Sequence, residues 1–90
     1  MSENIRTVTI TNKRGLHARA SAKFVTLAAA QPAQVEVEKD GSKVVGTSIM
    51  GLMMLGAAKG DSIVISADGD GAEAAVGALA ELVEAKFGEE

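Results

Sequence analysis

The single histidine of the 90-residue chain, His17, lies two positions before Arg19 in the segment 15–19, Gly-Leu-His-Ala-Arg. The segment joins a polar loop to a helical pattern, so we expect His17 at a helix N-terminus. The free N–H groups and the positive dipole end there bind anions and favour a neutral imidazole, whose lone pair can attack phosphorus. Arg19 adds a guanidinium that pairs with phosphoryl oxygens. The pattern thus favours a phosphoryl-accepting site, and the alternative is an incidental polar helix end.

Ser48 is the second candidate, because it precedes the short apolar run 49–55. Serine is a favoured N-cap, and a plain capping role is the simplest interpretation of this residue. A phosphate on Ser48 would add almost two negative charges at a helix N-terminus, which stabilises that helix. Any regulatory effect would therefore be electrostatic and felt by a partner.

The run 49–55 itself, Ile-Met-Gly-Leu-Met-Met-Leu, is more apolar than a helix of two turns can hide. We expect some of its large side chains at the surface, where methionine suits an interface that repacks against several partners. The alternative is a plain contribution to the core. The side chains concerned are Ile49, Met50, Met53 and Met54.

Composition excludes several other classes of function. Nine basic and twelve acidic residues give a net charge of -3, which argues against binding of nucleic acid. The chain has no cysteine and one histidine, so we expect no disulfide, no thiol nucleophile, no metal site and no cofactor. No apolar run approaches the roughly 20 residues of a membrane span, and the N-terminal residues do not resemble a secretory signal. We therefore expect a cytoplasmic protein without membrane insertion.

The elements that position these residues follow from periodicity. Alternation over 6–11, with Val8 and Ile10 on one face, predicts a strand. A helical stripe predicts a helix over 18–30, which Pro32 ends. Asp40-Gly41 between two alternating runs predicts a type I′ hairpin. This hairpin would set Val37 opposite Val44 on the buried face.

The second half of the chain predicts a short helix over 49–55, a strand over 62–66 and a last helix after the turn 68–71. Asp70 and Glu73 are spaced as a capping box for that helix. The paired acids Glu89 and Glu90 are predicted to be solvated surface. The order βαββαβα favours one α+β domain over 1–90, with a four-stranded antiparallel sheet covered by three helices on one face.

Two segments of the chain resemble the HPr family, the histidine phosphocarriers of the bacterial phosphotransferase system. The segment 15–19 matches the family's Gly-Leu-His-x-Arg signature, and 48–53, Ser-Ile-Met-Gly-Leu-Met, with Leu55-Gly56, resembles its regulatory-serine segment. The predicted element order agrees with the family's open-faced βαββαβα sandwich. The resemblance spans nearly the whole chain.

This resemblance implies a carrier rather than a stand-alone enzyme. The sequence does not determine the oligomeric state, and a monomer is our default expectation. His17 would accept a phosphoryl group from phospho-enzyme I and pass it to a IIA-type protein, with Arg19 as the active-site arginine. Ser48 would match the serine that HPr kinase/phosphorylase modifies in some bacteria. The apolar partner patch implied by the resemblance consists of Ala22, Ile49, Met50 and Met53.

Two positions depart from the family's pattern. Ala20 stands where proline usually preorganises the first helical turn, and Arg14 stands where a small polar residue is common. These departures leave open whether the carrier serves sugar uptake or the nitrogen-related regulatory branch. A co-regulator acting through phospho-Ser48 and a small-ligand sensor on a similar sandwich are the rivals from other classes.

Overall fold

The computed structural model describes residues 3–89, and the elements follow the predicted order βαββαβα. A 3₁₀ turn, Lys86–Gly88, follows the last helix. Within residues 3–89, no helix combines the length and the apolar character that crossing a membrane requires. The strands and helices are β1 (Glu3–Thr9), α1 (Ala18–Ala29), β2 (Gln34–Lys39), β3 (Ser42–Val45), α2 (Ile49–Met54), β4 (Ser62–Asp68) and α3 (Ala72–Glu84).

The four strands form one antiparallel sheet in the order β1-β4-β2-β3, which confirms the predicted open-faced sandwich. Inward side chains such as Val8 and Ile63 are buried, while Ile5 and Val45 are exposed. Buried alanines let the helices approach the sheet closely, since their side chains take little space. The largest fully buried apolar side chains are Phe24, Phe87, Ile10, Leu52, Ile63, Ile65, Leu79, Val37 and Val83.

The β2–β3 hairpin has the predicted turn and register. Asp40 and Gly41 have φ angles of 52° and 85°, the two positive values that a type I′ turn requires. Val37 lies opposite Val44, as the alternation predicted. Val37 is fully buried and Val44 is partly buried.

The predicted capping box at α3 is wrong. The helix begins one residue later, with Gly71 as its N-cap, and this residue makes no side-chain capping bond. Gly71 has a φ of 78°, a left-handed conformation that glycine adopts without strain. The turn therefore ends on glycine, and Asp70 lies outside the capping position.

Candidate functional site

His17 is the N-cap of α1, at the end of the helix that the sequence predicted. Its backbone is extended, with φ of -75° and ψ of -178°. Its Nδ1 accepts a hydrogen bond from the backbone N–H of Arg19 at 3.2 Å. The imidazole therefore faces the amide-rich end of the helix, where an anion is stabilised.

The loop before α1 is anchored to the segment that follows α2. Gly15 has a φ of 63°, and a Cβ atom at this position would overlap the carbonyl oxygen of Ala57. The next residue, Leu16, donates its N–H to that same oxygen at 3.0 Å and buries its side chain. These contacts fix the backbone immediately before His17.

The other ring nitrogen of His17 contacts the end of the chain. Nε2 lies 2.5 Å from Oε2 of Glu89, and the two side chains are 14% and 23% exposed. An ionised carboxylate can only accept a hydrogen bond, so Nε2 carries the proton. Because Nδ1 accepts from Arg19 N–H, it holds the lone pair. The two contacts together fit a neutral imidazole with its lone pair at Nδ1.

Asn12 connects this carboxylate to the loop. Its Nδ2 donates to Oε1 of Glu89 at 3.1 Å and to the carbonyl of Gly15 at 2.9 Å, while its own side chain is buried. These two acceptors define the orientation of the amide and leave Oδ1 without a hydrogen-bond partner among residues 3–89. The hydrogen bonds from His17 and, second, from Asn12 hold the pKa of Glu89 below its ordinary value.

The predicted solvated position of Glu89 is wrong, because the tail folds back onto the domain. Lys86, Phe87 and Gly88 all have positive φ angles of 58°, 56° and 76°, which turn the chain. The Phe87 ring is fully buried. Lys23 Nζ donates a hydrogen bond to the backbone carbonyl of Phe87 at 2.8 Å. The apolar Phe87 in a polar tail was the one sequence signal for this arrangement. Glu90 lies outside the described residues.

Arg19 presents its side chain at the exposed start of α1. Among residues 3–89 its guanidinium takes part in no salt bridge. This exposed guanidinium is available to an incoming anion. The backbone N–H of Arg19 donates to Nδ1 of His17. The structure therefore places the backbone N–H of Arg19 at the helix end and leaves its side chain exposed.

Ser48 is the N-cap of α2, as its local sequence predicted. Its Oγ accepts the N–H of Gly51 at 2.9 Å, and the residue is partly exposed. The capping interpretation is confirmed. Modification of this hydroxyl remains a prediction.

Most of α2 is exposed, so the view of its apolar side chains as plain core is wrong. Ile49, Met50, Met53 and Met54 are 40%, 70%, 41% and 80% exposed, whereas Leu52 is fully buried. A helix of six residues has one inward face, and Leu52 occupies it.

Ala22 lies on α1, which packs against α2. It lines an open, largely apolar groove of about 540 Å³ together with Arg19, Lys23, Leu27 and Leu82. The groove therefore places an apolar surface along α1, the helix that begins directly after His17.

The fold and this site define a small open-faced sandwich with one histidine at a helix N-terminus. A family model described as the PTS HPr component phosphorylation site matches residues 5–85, and the chain belongs to this family.

The relatives agree with the family assignment. The chain is 49% identical over 84 residues to the phosphocarrier protein HPr of Neisseria meningitidis serogroup A, covering 93% of this chain and 94% of the relative. It is 40% identical over 89 residues to the phosphocarrier protein NPr of Shewanella violacea, covering 99% and 98%. The structure matches HPr-C-His from Thermoanaerobacter tengcongensis with a TM-score of 0.91 and 50% identity, over 100% and 99% of the two chains.

Proposed function

We propose that this phosphocarrier of the HPr family carries its phosphoryl group on Nδ1 of His17. The observation that carries the proposal is the pair of contacts on the imidazole: Glu89 on Nε2 and the Arg19 N–H on Nδ1. They hold the ring in the tautomer whose lone pair lies at the helix N-terminus. The names of the relatives, phosphocarrier proteins HPr and NPr, support the carrier role.

The transfer needs little machinery from this chain. The Nδ1 lone pair forms a bond to phosphorus while the bond between phosphorus and the donor breaks, and the proton on Nε2 stays in place. The ring gains positive charge in this step, which the Glu89 carboxylate stabilises through its contact with Nε2. The phosphoryl oxygens take over the helix N–H groups and meet the Arg19 guanidinium. Phosphoryl transfer depends mainly on such positioning and charge.

The proposed donor is phospho-enzyme I, and the proposed acceptor is a IIA-type protein. We propose that both dock on Ala22 of α1 and on Ile49, Met50 and Met53, the exposed apolar side chains of α2, which packs against α1. The chain would act as a monomeric single domain, 1–90, in the cytoplasm. The NPr relative keeps the nitrogen-related branch as an alternative to sugar uptake.

Ser48 supports a second, regulatory function. Its partly exposed hydroxyl lies at the start of the exposed apolar helix, where HPr kinase/phosphorylase would add a phosphate. A phosphate at the N-terminus of α2 would stabilise this helix and would not unfold it. Its negative charge would therefore act on the partners that bind the exposed apolar side chains of α2. A co-regulator of this kind would keep its role in a His17→Ala variant.

The decisive experiment is incubation with enzyme I and phosphoenolpyruvate. We expect one acid-labile, alkali-stable phosphate per chain, located at Nδ1 of His17 and lost in His17→Ala. Glu36→Gln, on the exposed face of the sheet, is the matched control and should be phosphorylated normally. A phosphate on another residue, or full phosphorylation of His17→Ala, would refute the proposal.

A further inference from the structure

A cleft of about 350 Å³ opens beside the imidazole site and shares Asn12 and Glu89 with it. Four cationic side chains line it, and Thr11 adds an exposed hydroxyl group. We call it the basic cleft, after its cations. These are Lys13, Arg14, Lys59 and Lys86.

The cations of the basic cleft come from three separate parts of the chain. Lys13 and Arg14 lie before α1, Lys59 lies before β4, and Lys86 lies in the C-terminal turn. The fold thus gathers four of the nine basic residues of a chain whose net charge is -3. Like charges repel, and a bound anion would reduce the repulsion between these cations.

The described residues do not neutralise the basic cleft. Within 3–89, the salt bridges involve Lys39, Lys43 and His17 and none of the cleft's cations. Among residues 3–89, Glu89 is the one acid that lines the cleft; its Oε1 contacts Asn12 Nδ2 and its Oε2 contacts His17 Nε2. Four cations against one carboxylate leave this described lining with an excess of positive charge.

We propose that the basic cleft binds a small ligand that carries a diphosphate group. Four cations suit the charge of two linked phosphates better than that of a single phosphate, which carries about two negative charges. Arg14 offers a planar fork for two phosphate oxygens, and the lysines supply point charges. A concave volume of about 350 Å³ lies at the small end of ligand sites, which favours a small molecule over a protein surface.

The position of the basic cleft couples it to His17. A diphosphate bound there brings negative charge next to the Glu89 carboxylate, which holds Nε2 of His17. The ring signals of His17 should therefore report binding in the unphosphorylated protein. This inference goes beyond the proposed carrier function, and it holds whether or not His17 accepts phosphate.

The test is an NMR titration of the ¹⁵N-labelled full chain with sodium pyrophosphate at constant ionic strength. We expect saturable shifts at the amides of 11–14, Lys59 and Lys86, together with shifts of the His17 ring. Lys59→Gln/Lys86→Gln should weaken binding about tenfold, because two of the four charges are lost. Lys59→Gln alone, expected to weaken binding several-fold, provides a second variant that leaves the C-terminal turn intact.

Lys43→Gln is the matched control, since this exposed lysine of β3 lies outside the basic cleft. It should bind pyrophosphate as the wild type does. Titration with ADP identifies the source of the diphosphate: tighter binding of ADP than of pyrophosphate indicates a nucleotide, and equal or weaker binding indicates the free anion. Shifts spread over all lysines, unchanged affinity in both cleft variants, or tighter binding of an acidic peptide would overturn the proposal.

Discussion

Oε2 of Glu89 lies 2.5 Å from Nε2 of His17, although 72 residues separate the two along the chain. This contact determines which nitrogen of the imidazole holds the proton and which holds the lone pair. The C-terminal tail is therefore part of the site, on the opposite side of the ring from the helix amides.

Glu89→Gln should slow phosphorylation of His17 by enzyme I by about tenfold, because a neutral amide stabilises the charged ring less than a carboxylate does. ¹⁵N chemical shifts of the imidazole should show a mixture of tautomers in place of one. Glu81→Gln, an exposed change on α3, is the control and should behave as the wild type. Normal transfer with an unchanged tautomer in Glu89→Gln would remove Glu89 from the mechanism.

The lowered pKa of Glu89 predicts a pH dependence of stability. A carboxyl group whose pKa is lower in the folded state stabilises the fold above its unfolded pKa, and this contribution disappears as pH falls through the folded pKa. The wild type should therefore exceed Glu89→Gln in the free energy of unfolding at pH 7, and the difference should shrink by pH 3. Urea unfolding at both pH values measures it. A constant difference would contradict the assigned cause.

Gly15→Ala should destabilise the protein more than Gly41→Ala. Both glycines have positive φ, so each substitution costs about 1 kcal/mol of backbone strain. Only at Gly15 does the added Cβ also meet the backbone of Ala57, whereas nothing lies within 4 Å at Gly41. Urea unfolding of both variants compares the two costs. An equal decrease in the free energy of unfolding for both variants would show that the close approach of Gly15 to Ala57 does not add to the cost of the substitution.

Met50→Ser tests the partner patch. Met50 is 70% exposed, so its loss should change the free energy of unfolding by less than about 0.5 kcal/mol. Binding of enzyme I should weaken by about tenfold, as expected for a buried methionine at an interface. Calorimetric titration measures the affinity, and Ile5→Ser, exposed on β1, is the control. Unchanged affinity for both enzyme I and a IIA-type protein would exclude Met50 from the docking surface.

Local sequence determined much of this protein. The alternation of Val8 and Ile10, the Asp40-Gly41 turn and the Ser48 cap each depend on neighbours within a few residues, and the structure contains all three. The position of His17 at a helix N-terminus followed from the same kind of pattern, because periodicity and capping are properties of short segments.

Tertiary structure decided the rest. The contact of Glu89 with His17 requires the buried Phe87 ring to bring the tail back, and the basic cleft requires three distant segments to meet. The N-cap of α3 at Gly71 likewise depended on how the preceding turn closed. Packing between segments that are distant in sequence brings these residues together, and the apolar Phe87 in the polar tail was the one indication of it in the sequence. The sequence therefore predicted His17 as the nucleophile, while only the fold identified the carboxylate that contacts its ring.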